Sequence, residues 1–133
     1  MRLHRKIALV YAVVLFSAAA SSYVPGLKDA EGRTFGIFAL DIFDDGLHLV
    51  SGLWALAAVL VSARAARIFL TVFGALYLAD GALGLFTGSG YLDLGIINHG
   101  VLDLPFGFKV LANLPHVGLG GFALFAGLRL DRN

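Results

Sequence analysis

Two histidines occupy equivalent places in two similar patterns, and they are the side chains best suited to chemistry in this sequence. Each pattern reads polar-x-x-His-x-x-x-Gly, and its three fixed residues share one face of a helix because residues three and four apart are neighbours there. The two copies consist of Asp45, His48 and Gly52, and of Asn113, His116 and Gly120. We therefore expect two matching helices, each presenting a histidine at the same level.

A carboxylate in the third apolar run could join these histidines. Tyr77, Asp80, Gly81 and Gly84 form one helical stripe. An ionisable residue within a membrane span is costly and usually faces the interior of the bundle, so Asp80 is predicted to point inward. At a rise of about 1.5 Å per residue it lies about 9 Å from the end of its helix, deeper than the two histidines.

The first interpretation of this polar layer is structural. Asp45 and Asn113 belong to the residue types that cap helix N-termini, and a polar residue three positions on can return a bond toward the cap. Gly52 and Gly120 then permit close contact between helices. Under this interpretation the histidines bind nothing.

Two further interpretations assign the layer a ligand or a path. His48 and His116 could hold a haem or another tetrapyrrole, with Gly52 and Gly120 leaving space for the flat ring. Together with Asp80, the histidines would also suit zinc or a similar divalent metal. The same three residues could instead conduct protons or a small solute. Hydrolase, zinc-peptidase and phosphate-loop motifs do not occur in the sequence, which disfavours an enzyme.

The composition places these residues in a membrane. Hydrophobic residues make up 59% of the 133 residues and charged residues 14%, against roughly 45–50% and about 25% in soluble domains. A chain this short cannot bury so much apolar surface in water, so a lipid bilayer is its expected partner. A net charge of +1 gives no indication of nucleic-acid binding, and with no cysteine there are no thiolate sites.

Four apolar runs are long enough to cross the hydrocarbon core. They span about 7–24, 46–62, 68–86 and 113–130. Helix is the expected state of each because a backbone in lipid must satisfy its own hydrogen bonds. The sequence thus predicts an all-α, up-down-up-down transmembrane four-helix bundle with an internal two-fold repeat, forming a single integral membrane domain over residues 1–133.

The basic residues predict the orientation of the bundle. Seven of the ten would lie at one end: Arg2, Arg5, Lys6, Arg64, Arg67, Arg129 and Arg132. The positive-inside rule then places both termini in the cytoplasm. The long connections, residues 25–45 and 87–112, would lie outside and rest on the membrane surface or cap the bundle. The first run also resembles a signal peptide, although we expect it to be retained as a helix.

The paired motifs resemble those of a bacterial family of small four-helix membrane proteins known only as a domain of unknown function. The resemblance rests on the two histidine patterns and on Tyr23-Val24-Pro25-Gly26 after the first run. Asp45 replaces the usual Asn, and Pro115 is an additional feature. A looser likeness to DoxX-like proteins adds little. The resemblance implies the fold and brings no activity with it.

Small residues suggest where helices meet. Gly74, Gly81 and Gly88 recur every seven residues, which is typical of close packing within a bundle or against a protein partner or second copy. His4 and His99 are expected at the surface. The sequence favours a non-enzymatic accessory or structural subunit of a larger membrane assembly. The alternative is a small haem- or metal-binding membrane protein with a redox or sensing role.

Overall fold

The computed structural model describes residues 2–21, 23–24, 26–27, 42–92, 94–101 and 105–130. These residues form five helices and no strand. Four of the helices are long and apolar enough to cross a membrane, so the predicted all-α membrane fold is confirmed. The helices are α1 (Leu3–Ser21), α2 (Ile42–Val61), α3 (Ala63–Thr87), the short α4 (Gly95–His99) and α5 (Phe106–Arg129).

All four long helices begin earlier than the apolar runs, and in α2 and α5 this overturns the predicted caps. Asp45 lies in the first turn of α2, where a negative side chain is favourable beside the helix dipole, but not at the N-cap. Asn113 lies well inside α5, and its Nδ2 donates to the carbonyl of Lys109 at 2.8 Å. Capping by Asn113 is therefore wrong, because the amide is satisfied one turn back within the same helix.

A single residue separates α2 from α3. Ser62 is the N-cap of α3, and its Oγ accepts a hydrogen bond from the backbone N–H of Ala65 at 2.9 Å. At the other end of α3, Gly88 has a φ of 78° and donates its N–H to the carbonyl of Gly84. Glycine adopts this left-handed conformation at little cost. Both ends of α3 are thus defined by local residues.

The helices alternate in direction and pack chiefly in the pairs α1–α2 and α3–α5. The α3–α5 pair is in backbone contact, since a Cβ on Gly74 would meet the backbone of Leu124, and one on Gly120 would meet Leu78 N. The side chain of Asn113 covers Gly84 in the same way. The glycines Gly74, Gly81 and Gly84 of α3 therefore pack against α5 of the same chain.

An aromatic layer fills the middle of the bundle. It consists of Tyr11, Phe69, Phe73 and Tyr77, all of which are buried. Phe73 stacks on Tyr77 with ring centroids 3.9 Å apart, and Tyr11 meets Phe73 edge-on at 5.5 Å. Tyr11 also donates its hydroxyl to the carbonyl of Leu119 at 2.5 Å, which ties α1 to α5. Phe69, Phe73 and Tyr77 follow one another at intervals of four residues along α3, so these rings run along the axis of the bundle.

Several sequence features lie outside the described residues. They include Pro25 and most of the first long connection. The charged residues among them are Lys28, Asp29, Glu31, Arg33, Asp41, Asp93, Asp103, Asp131 and Arg132.

Candidate functional site: a buried polar cluster

Asp80 lies in α3 with 2% of its surface exposed. Its Oδ2 shares a hydrogen bond of 2.5 Å with Nδ1 of His116 on α5. Its Oδ1 accepts two further bonds, from the backbone N–H groups of Tyr91 at 2.8 Å and Leu92 at 2.9 Å. The carboxylate thus points inward and has the histidine partner that its place in an apolar helix predicts. Charge-assisted bonds of this kind are the strong ones.

The loop formed by residues 88–92 folds back along α3 to reach this carboxylate. A Cβ on Gly90 would collide with the Asp80 carboxylate, so only glycine fits there without a shift. The Tyr91 hydroxyl donates to the carbonyl of Leu76 at 2.9 Å and fixes the loop at a second point. Partial burial and the negative charge of Asp80 raise the pKa of Tyr91 above its ordinary value.

The two motif histidines come together across the bundle. His48 is buried on α2, and its ring lies edge-on to that of His116 with centroids 6.1 Å apart. The Tyr77 ring lies 5.1 Å from that of His116, and its hydroxyl shares a 2.9 Å hydrogen bond with Ser51 Oγ. We call Asp80, His116, His48, Tyr77 and Ser51 the polar cluster. It joins α2, α3 and α5 with one continuous set of polar side chains.

The motif glycines are covered by protein. A Cβ on Gly52 would lie against the Phe16 ring of α1, and one on Gly120 would strike the backbone of Tyr77 and Leu78. Neither glycine therefore opens onto space for a flat ring, which the haem hypothesis had assigned to them. Both instead provide the close helix contacts that the structural interpretation expects.

The described residues do not bring three ligands together for a metal. Among them no group of three or more His, Asp or Glu side chains is arranged to hold an ion. Asp80 already accepts hydrogen bonds at both oxygens. In metal sites a carboxylate commonly bonds to a histidine ligand and orients its ring without touching the metal. Asp80 makes the same kind of bond to His116. What remains of the metal hypothesis is the pair His48 and His116.

Sequence reasoning missed two features of the site. The loop bonds to Asp80 come from backbone N–H groups, which every residue carries, so only the Gly88-x-Gly90 spacing hints at a close approach. His4, expected at the surface, is 4% exposed, and its Nε2 lies 2.9 Å from the carbonyl of Ala126 near the end of α5. That expectation was wrong because α1 packs its first turn against α5. The His99 side chain lies outside the described residues.

The fold and the buried cluster define a multi-pass, all-α membrane protein. Residues 5–104, most of the chain, match the model of the family described as "Domain of unknown function (DUF4383)", and the chain belongs to that family. The predicted resemblance is thereby confirmed. The match includes Asp80 and the first histidine motif and ends before the second. No match was found among curated proteins or among solved structures.

Proposed function

We propose that this protein is a non-enzymatic structural or accessory subunit of a larger membrane assembly. The observation that carries the proposal is the engagement of Asp80 within the chain. Both of its oxygens are used, by His116 and by the loop that ends at Leu92. Asp80 therefore joins α3, α5 and the loop formed by residues 88–92. A polar group buried in lipid is expected to fix packing in this way.

The surface proposed for a partner lies on α5. The α3 glycines already pack against α5. On α5 itself, a Cβ on Gly118 or on Gly121 would meet nothing within 4 Å. The bulky neighbours Leu114, Phe122 and Phe125 are each about half exposed. Open glycines flanked by large apolar side chains are typical of helix faces that receive another transmembrane helix.

Cysteine cross-linking tests this surface, and the chain has no native cysteine to interfere. Gly118→Cys in native membranes should give a cross-linked species of defined mass when treated with a short bifunctional thiol reagent. Val50→Cys is the matched control, since it lies on α2 and is 65% exposed. Equal yields at both positions, or none at Gly118→Cys, would contradict the partner surface. A species of twice the chain mass would identify a second copy.

The orientation and the membrane belong to the same proposal. We place the basic end of the bundle, defined by Arg5, Arg67 and Arg129, in the cytoplasm, and the protein in a bacterial inner membrane. The positive-inside rule supports the cytoplasmic orientation of the basic end.

One observation favours a second function, the binding of a metal or tetrapyrrole. His48 and His116 lie with ring centroids 6.1 Å apart, and Asp80 orients His116 through Nδ1. Metal analysis and a visible absorption spectrum of detergent-purified protein test this function. A stoichiometric metal or a Soret band that both His48→Gln and His116→Gln remove would establish it over the structural function. A colourless, metal-free preparation would exclude it.

A further inference from the structure

The basic end of the bundle carries a one-sided charge. Six described basic residues lie there, and the described acidic residues, Asp44, Asp45 and Asp80, all belong to the opposite half. The basic residues are Arg2, Arg5, Lys6, Arg64, Arg67 and Arg129. Such a concentration of positive charge attracts anions from the adjoining solution or lipid surface.

Five of these six basic residues lie near the start of a helix, where positive charge is unfavourable. α1 and α3 both begin at the basic end, and neither has an acidic residue in its first turn. Arg2, Arg5 and Lys6 surround the start of α1, and Arg64 and Arg67 lie near the start of α3. The start of a helix carries a partial positive charge, so cations in or next to its first turn are unfavourable. An anion held nearby would offset this repulsion.

Two of the arginines are fixed in position by helix ends. Arg5 donates its Nε–H to the carbonyl of Val59 at 2.7 Å, and Arg67 donates its Nε–H to the carbonyl of Gly127 at 2.9 Å. These carbonyls belong to the last turns of α2 and α5, where helices leave acceptors unused. Both arginines are half-buried, and within the described part of the chain their Nη groups donate to no acceptor.

We propose that Arg5 and Arg67 each bind the phosphodiester of an anionic phospholipid at the basic end. The Nη groups form a planar donor pair that matches two phosphate oxygens. Their Nε bonds hold that pair in place before a lipid arrives, which lowers the entropy cost of binding. Since the helices span the bilayer, the basic end meets headgroups, and lipid is the phosphate source that the fold presents. This inference is independent of the proposed subunit function.

Native mass spectrometry of the detergent-purified full chain tests the proposal. Phosphatidylglycerol is titrated against phosphatidylcholine of the same acyl chains, with inorganic phosphate as a third probe. We expect phosphatidylglycerol to bind at least five-fold more tightly than phosphatidylcholine and inorganic phosphate not to compete at millimolar concentration. Phosphatidylcholine carries the same phosphodiester beside a choline cation, so equal binding of the two lipids would overturn the preference for an anionic phospholipid. Full competition by phosphate would assign the site to a soluble anion.

The matched control is a double variant that removes the same number of positive charges from the same end of the bundle. Arg5→Gln with Arg67→Gln should weaken phosphatidylglycerol binding by about 25-fold, because each change removes charge-assisted hydrogen bonds that contribute at least about five-fold. Arg2→Gln with Lys6→Gln removes two cations that make no helix-end bond and should weaken it by less than five-fold. Equal losses of phosphatidylglycerol binding in the two double variants would mean that only net charge matters, and would overturn the proposed site. If the first pair does not fold, Arg5→Lys with Arg67→Lys keeps the charge and should still lose the preference; retention would overturn the proposal.

Discussion

At the scale of the residue, Asp80 carries the polar cluster because three donors converge on it. In Asp80→Asn one side-chain oxygen remains as an acceptor. An NH₂ group, which cannot accept a hydrogen bond from these donors, replaces the other oxygen. We expect a loss of about 2 kcal/mol in the free energy of unfolding, as for hydrogen bonds to charged groups. Asp45→Asn makes the same change in the first turn of α2 and should cost under 1 kcal/mol. Denaturation by SDS in mixed micelles, followed by circular dichroism, measures both.

Gly90 provides a second test at this scale. Gly90→Ala places a methyl group against the Asp80 carboxylate and should detach the loop formed by residues 88–92. Gly107→Ala is the control, since a Cβ there would meet nothing within 4 Å. Hydrogen exchange should show faster exchange of the Tyr91 and Leu92 amides in Gly90→Ala only. Unchanged exchange would mean that the loop is held by other contacts.

The site shows what the sequence could and could not predict about single residues. The inward direction of Asp80 and its histidine partner followed from the cost of a carboxylate in an apolar run. The approach of His48 to His116 followed from their matching motifs. The contact between the loop and Asp80 could not be predicted in this way, because every residue type except proline carries a backbone N–H donor. The cap at Asn113 failed because an amide side chain can also bond one turn back inside a helix.

At the scale of the element, the closest contact is between α3 and α5. Gly120→Ala places a methyl group against the α3 backbone and should destabilise the protein by about 1–3 kcal/mol through overpacking. Gly121→Ala changes the adjacent residue, where a Cβ meets nothing within 4 Å, and should have little effect. Thermal unfolding of both variants in one detergent measures the difference. Equal melting temperatures would contradict backbone contact at Gly120.

The helices themselves were largely predictable, and their ends were not. Hydropathy located all four long helices, because apolar side chains in lipid leave the backbone no other hydrogen-bond partners. It missed the first turn of each, since polar residues such as Asp44 in α2 and Arg64 in α3 can belong to a helix without belonging to an apolar run. Pro115 lies inside α5, a position that hydropathy cannot distinguish from a helix start. The internal repeat remains a prediction.

At the scale of the whole molecule, the charge asymmetry gives a prediction about topology. Single cysteines at Arg2 and Arg129 should both be protected from an impermeant thiol reagent in intact cells. A cysteine at Leu94, on the connection between α3 and α5, should be labelled. The absence of native cysteine makes the background low. Labelling of only one of the two terminal positions would contradict the alternating arrangement of four spans.

The aromatic layer has an optical consequence. Tyr11 and Tyr77 are buried, and each packs against Phe73, Tyr77 with ring centroids 3.9 Å apart and Tyr11 edge-on at 5.5 Å. A buried aromatic ring held in one fixed surrounding gives a near-ultraviolet circular dichroism signal, which is lost when specific packing is lost although the helices remain. The near-ultraviolet signal of the two tyrosines therefore reports the packing of the bundle core separately from the far-ultraviolet signal of its helices.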